Sequence, residues 1–263
     1  MRLRRSRSVS IDAVQERLSG RRALITGGAG GLGSAIASAF VREGARVAIA
    51  SRNQAALEEF CAVLGRDGAV AHPVPVDVSD AAAVERSVAR AGDLLGGLDA
   101  VVNAAAIDCV WAPVGEMTVE TWDETIAVNL SGTFYVCRAA LPRLVESGGG
   151  SIVNITSVAG LRAWALDAAY GASKAGIELL TRTIAIEYGS TGVRANCLAP
   201  GVIDAGMTDV VTDAAERREL VGKQPLGRMG RAEEVAEAVV WLTCEASSFT
   251  TGATLTVDGG FLA

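Results

Sequence analysis

Short apolar runs alternate with longer stretches of helical spacing along nearly the whole chain. Arg22 to Thr26, Arg-Ala-Leu-Ile-Thr, has the length of a buried strand, and Ser34 to Glu43 behind it carries apolar residues at helical intervals. Arg46 to Ala50 is a second apolar run and Val70 to Val76 a third, followed by a helical pattern from Asp80 to Leu95. Leu98 to Val102 reads as a fourth strand and Ser151 to Ile155 as a fifth, entered through glycines 148 to 150. Between them, Trp122, Ile126, Leu130, Phe134 and Cys137 recur at helical spacing and predict one long helix over 118–146. Thr254 to Val257 is the last strand. Strands alternating with helices predict an α/β domain whose sheet is parallel.

The chain has 263 residues, half of them hydrophobic, enough to bury the core of one large domain. No run of eighteen apolar residues escapes a charge or a glycine break, so nothing reads as a membrane span. A net charge of −6 opposes a general nucleic-acid surface, and any anion must be held locally. The five cysteines, Cys61, Cys109, Cys137, Cys197 and Cys244, form no Cys-x-x-Cys pair and are odd in number, which predicts reduced thiols and a cytoplasmic location. His72, beside Pro73, is the only histidine, so no metal site and no Ser-His-Asp triad is expected. Residues 1–17 read as a solvated basic tail without the apolar core of a secretory signal, and 18–263 as the folded domain.

Between the first run and its helix stand Gly27, Gly28, Ala29, Gly30, Gly31, Leu32 and Gly33. A strand, a glycine turn and a helix in that order suit a dinucleotide: glycines admit the pyrophosphate close to the backbone, and the helix N-terminus attracts its charge. The second strand ends at Ser51, Arg52 and Asn53, where many dinucleotide folds carry an acid for the ribose hydroxyls. Without that acid a 2′-phosphate is not repelled, and Arg52 offers it a charge-assisted fork, which favours NADP(H) over NAD(H). After the third strand, Asp77, beside Val78, is suited either to accept from the adenine amino group or to cap the next helix, as is Ser79. Asn103, with Ala104 at the end of the fourth strand, reads as a cofactor-side or strand-bridging amide. A buried Asn129 either bonds backbone locally or joins a water network.

Tyr170 and Lys174, in Tyr-Gly-Ala-Ser-Lys, stand one helical turn apart on the same face. A nearby ammonium favours the phenolate, moving a tyrosine that normally titrates near ~10 toward the range where a general acid/base is useful. Asn129, Ser157, Tyr170 and Lys174, together with the opening Thr26-Gly-x-x-x-Gly-x-Gly33, resemble the short-chain dehydrogenase/reductase family, of its compact single-domain type. Leu98-Asp99, Pro200-Gly201, Pro225-Leu226-Gly227-Arg228, Glu233-Glu234-Val235-Ala236 and Val257-Asp258-Gly259-Gly260 follow in that family's order.

The resemblance implies a Rossmann-type doubly wound, seven-stranded parallel sheet flanked by helices, with 18–263 as the dinucleotide-binding catalytic domain. It implies hydride transfer between a nicotinamide and a carbonyl or alcohol carbon. Tyr170 is then the proton donor or acceptor, Ser157 holds the substrate oxygen, Lys174 holds the nicotinamide ribose and stabilises the phenolate, and Asn129 positions a water. Pro200, Gly201 and Ile203 complete the cofactor side. Two departures stand out: Asn-Asn-Ala-Gly of the family is Asn103-Ala104-Ala105-Ala106 here, and a threonine that often follows Pro-Gly is replaced by Ala205.

Trp111, Trp164 and Met207 suggest an apolar, cyclic or aromatic ketone or alcohol as substrate, and 208–223 reads as a lid. The helices at 118–146 and around Tyr170 are apolar on more than one face, as expected for packing across a two-fold axis, and the resemblance implies a homotetramer or, failing that, a homodimer. Two rival readings share these motifs: a 3-oxoacyl-carrier-protein reductase, and a catalytically idle dinucleotide-sensing or structural protein of the same fold.

Overall fold

In the computed structural model, which describes residues 16–108, 111–206 and 213–263, each apolar run becomes a strand, the central ones covered on both faces and the two edge strands only in part. The strands are β1 (Arg22–Thr26), β2 (Arg46–Ser51), β3 (Ala71–Pro75), β4 (Ala100–Asn103), β5 (Gly150–Ile155), β6 (Val193–Pro200) and β7 (Thr254–Val257). All pair in parallel, in the order β3-β2-β1-β4-β5-β6-β7. Burial on both faces explains why the central segments read as continuous apolar runs without alternation. The order reverses beside β1, and ligands of such sheets bind over the strand ends at that reversal.

Between the strands run α1 (Gly31–Arg42), α2 (Gln54–Leu64), α3 (Ala81–Leu95), α4 (Val119–Thr125), α5 (Gly132–Glu146), α6 (Ala168–Tyr188), α7 (Ala214–Gly222) and α8 (Ala232–Thr243). Ile36, Phe40, Leu57, Val239 and Val240 from α1, α2 and α8 pack one face of the sheet. Val84, Val88, Val136, Leu144 and Ile184 from α3, α5 and α6 pack the other. Polar side chains fix the helix starts: Asn53 accepts from Ala56 N–H, Thr118 from Thr121 N–H, and Asp80 from Ala82 and Ala83. The cap of α3 is therefore Asp80. Asp77 closes a tighter turn, accepting from the N–H and hydroxyl of Ser79.

The helix expected over 118–146 is continuous, but a π-helical turn, Ile126–Ser131, separates α4 from α5. Its wider hydrogen-bond spacing shifts the register by a fraction of a turn, and such turns concentrate at functional sites. Here it holds the fully buried Asn129. At the opposite end of the sheet, Arg22 at the start of β1 grips Asp99, just ahead of β4, through its N–H and Nε to Oδ2 and Nη2 to Oδ1. Among the described residues, no helix is long and apolar enough to cross a membrane.

Candidate active site

Tyr170 and Lys174 lie in the first two turns of α6, side by side as their spacing requires, with Lys174 Nζ 5.3 Å from the phenol ring centre. The ammonium is buried and donates to the carbonyl of Ile155, at the end of β5, over 3.0 Å. Burial pushes its pKa down to about 8, against the upward pull of nearby groups that include Asp108. Ser157 follows β5 and accepts from Ala159 N–H, capping the short turn Val158–Gly160. That turn lies directly on α6. A side chain at Gly160 would come within 2.8 Å of the Lys174 backbone, so only glycine lets Ser157 approach the helix this closely.

Asn129 makes the backbone bonds that are one of its two expected roles. Its amide exchanges two hydrogen bonds with Ile107, accepting from the N–H at 2.8 Å and donating to the carbonyl at 2.9 Å, and it donates to the Ser173 hydroxyl at 3.2 Å. The segment after β4 is thereby tied to the helix of Tyr170. Asn103 bridges strands: its amide donates to Asn154 on β5, which donates to Thr181 on α6. Asn103 Oδ1 is buried without a partner.

The turn over the strand ends fits a dinucleotide. Gly27 has φ +66, and a Cβ there would meet the backbone of Ala104 and Ala105 at 2.7 Å. Gly33 lies against the carbonyl of Gly27, and Gly31 against Gly206. The N-cap of α1, Gly30, makes no side-chain cap and no acid follows in the first turn, so the amides of Gly31, Leu32 and Gly33 are not capped by side chains of the helix start and face an anion without charge repulsion. Ser51 ends β2, the exposed Arg52 follows it, and Asn53 is engaged as the α2 cap. Ser79's hydrogen bonds hold the Asp77 carboxyl below its ordinary pKa, with a smaller contribution from the charge of Arg52. Val78 is buried against Gly132. Pro200 ends β6, Gly201 sits tightly against Asp258, and Ile203 is buried and bridged to Gly230.

On the substrate side, Trp111 is 60% exposed beside the segment after β4. Trp164 stacks on Phe261, ring centres 5.0 Å apart, with Arg162 at 5.7 Å and Lys223 at 5.5 Å from its ring. Met207 lies outside the described residues. Among those residues no group of three or more His, Cys, Asp or Glu is arranged to hold a metal ion.

Three acids missing from the sequence reading, Asp108, Asp167 and Glu178, border this site. Glu178, buried on α6, accepts from Thr156 and Thr254, linking β5 and β7 to the helix. Asp167 begins α6, and burial together with the like charge of Asp108 pushes its carboxyl up to about 6. The available signal was position: Asp167 stands three residues before Tyr170 and Glu178 four after Lys174, both helical neighbour spacings.

A dinucleotide crevice over parallel strand ends, with a buried lysine beside a tyrosine, defines a class: a Rossmann-type oxidoreductase working with NAD(P)(H). The family model described as "Enoyl-(Acyl carrier protein) reductase" matches residues 27–262. D-threitol dehydrogenase of Mycolicibacterium smegmatis is 38% identical over 93% of this chain and 94% of its own length. 2-(S)-hydroxypropyl-CoM dehydrogenase 3 of Xanthobacter autotrophicus is 40% identical over 95% of this chain and all of its own. The crystal structure of a 3-oxoacyl-[acyl-carrier protein] reductase from Brucella melitensis superposes with TM-score 0.89 and 36% identity, covering 100% of this chain and 99% of its own. The chain belongs to the short-chain dehydrogenase/reductase family and is an oxidoreductase of CH-OH groups.

Proposed function

We propose that the protein interconverts a ketone and a secondary alcohol carried on an apolar, cyclic or aromatic frame, with NADP(H) preferred over NAD(H). The observation that carries this reading is the buried ammonium of Lys174, 5.3 Å from the Tyr170 ring. A positive charge beside a phenol lowers the cost of the phenolate. Tyr170 then takes the hydroxyl proton in oxidation and returns it to the forming alkoxide in reduction. Ser157 holds the substrate oxygen against the tyrosine, so the proton moves over a hydrogen-bond distance. Asn129 fixes the segment after β4, which forms one wall. The amides of Gly31, Leu32 and Gly33 suit the pyrophosphate, and the exposed Arg52 suits a 2′-phosphate. A nicotinamide held there would supply the hydride acceptor in oxidation and the donor in reduction.

Trp111 and Trp164 support the apolar substrate frame, and relatives named for alcohols support the reaction class. Exposed apolar side chains on α4, α5 and α6, including Trp122, Phe134, Leu179 and Ile186, support a homotetramer or, failing that, a homodimer. A second reading, reduction of 3-oxoacyl groups on a carrier protein, is favoured by the description of the matching family model and by the Brucella neighbour.

Titrating the protein with NADPH and NADH by fluorescence, then following cofactor absorbance against cyclic, aromatic and acyl-carrier ketones, separates these readings. Tyr170→Phe is expected to lower kcat about 10²–10⁴-fold while leaving cofactor binding intact. Unchanged turnover would overturn the tyrosine mechanism, and tighter binding of NADH would overturn the role given to Arg52.

A further inference from the structure

Asp167 sits at the N-cap of α6, three residues ahead of Tyr170. An aspartate there ordinarily turns back to accept from an amide of the helix. This one does not. Its backbone (φ −119, ψ 37) departs from the extended form of the other acidic and amide caps in the chain, it makes no capping bond, and Oδ1 is buried without a hydrogen-bond partner.

Two features hold the carboxylate in that attitude. Leu166, the residue before it, is the one non-glycine with positive φ among the described residues, at +71, a conformation that survives only where its surroundings impose it. Its carbonyl accepts from Ala112 N–H at 3.1 Å, which ties the turn to the segment after β4. Asp108, in that same segment, acts electrostatically on both Asp167 and Lys174, so all three charges share one mouth. Strained backbone and an unsatisfied buried acceptor both work against stability, and together they belong to sites completed by a ligand. The upward shift of the Asp167 carboxyl to about 6 has the same origin in burial and like charge.

We propose that Asp167 is a specificity-determining residue that accepts a hydrogen bond from a second hydroxyl of the substrate, near the carbinol that Tyr170 deprotonates. The preferred substrates are then diols or the matching hydroxyketones on an apolar ring. A hydroxyl supplies the donor that the buried Oδ1 lacks without adding a charge to the mouth. This rests on the dehydrogenase reading above and adds the substrate class to it.

The test compares kcat/KM for the cyclohexane-1,2-diols and 1,3-diols with that for cyclohexanol, in wild type, Asp167→Asn and Asp167→Leu. A site built around a hydroxyl rejects the analogue that lacks it, so wild type is expected to favour at least one diol by more than about tenfold. Asp167→Leu, which removes the acceptor, should reduce that ratio by about tenfold or more, and Asp167→Asn, which keeps an acceptor oxygen without the charge, by a smaller factor. Leu166→Gly, which keeps the carboxylate but frees the backbone that aims it, should lower the ratio by a smaller factor and serves if the Asp167 variants fail to fold. A ratio that stays at the wild-type value in every folded variant overturns the proposal and leaves the dehydrogenase reading standing. Wild type that binds dinucleotide yet transfers no hydride to or from any alcohol or ketone overturns both.

Discussion

Lys174 is held with one hydrogen bond to a carbonyl and a tyrosine face for company, at 2% exposure. Its pKa falls from 10.5 to about 8 because burial disfavours the charged form. The folded protein therefore binds fewer protons at this site than the unfolded chain between those values, and stability rises with pH across that window. Below pH 8 the full cost of the buried ammonium is present, on the order of 3 kcal/mol by the size of the shift. Lys174→Met should consequently melt higher than wild type at pH 7, by roughly 5 °C, and lose the advantage as pH rises from 8 to 10.5. Calorimetry across that range checks it, and a variant less stable than wild type at pH 7 would show that the lysine's contacts outweigh its desolvation. The same substitution should abolish turnover. Asp167 is the residue-scale lesson in legibility: an aspartate at the head of a helix reads as a cap, and only the backbone angles reveal that it declines the bond.

Among the elements, α6 carries the chemistry and is the most heavily anchored. Glu178 accepts from Thr156 and Thr254, while Asn154 reaches Thr181, so polar bonds from β5 and β7 meet the catalytic helix within its middle turns. Glu178→Ala removes the acceptor shared by Thr156 and Thr254, leaving Thr156 only the Leu198 carbonyl, and should cost about 1–3 kcal/mol, measured as a lower denaturant midpoint, with kcat falling as Tyr170 loses its support. In α1, a methyl at Gly33 would lie 2.2 Å from the Gly27 carbonyl, so Gly33→Ala should weaken dinucleotide binding at least about tenfold in a fluorescence titration. Most of these elements were legible. Strands buried on both faces are plain in composition, and helices show their spacing. The π-helical turn was not, because Trp122, Ile126, Leu130 and Phe134 keep the same apolar stripe whether one residue is accommodated in a wider turn or not. Asn103 was legible only as a pair of alternatives, since an amide at a strand end serves either ligand or neighbour until the adjoining strand is known.

At the scale of the molecule, a homotetramer would bury the apolar residues that α4, α5 and α6 expose. Phe134→Glu sets a charge in the middle of that surface and should shift sedimentation toward a smaller species, while an unaltered profile would assign this face to solvent. The parallel sheet separates two properties that many enzymes entangle. Every strand delivers its last residue to the dinucleotide end, whereas Arg22 and Asp99 meet at the other. There burial would raise the Asp99 carboxyl, but the hydrogen bonds of Arg22 prevail and hold it below its ordinary value. Its contribution is present above the unfolded pKa of 3.8 and is lost as pH falls through the lower folded one, so Asp99→Asn should move acid unfolding to higher pH. The Arg22–Asp99 clasp and the substrate mouth thus reside at opposite poles, and a biocatalyst engineered from this scaffold can have its catalytic mouth rebuilt without disturbing that clasp.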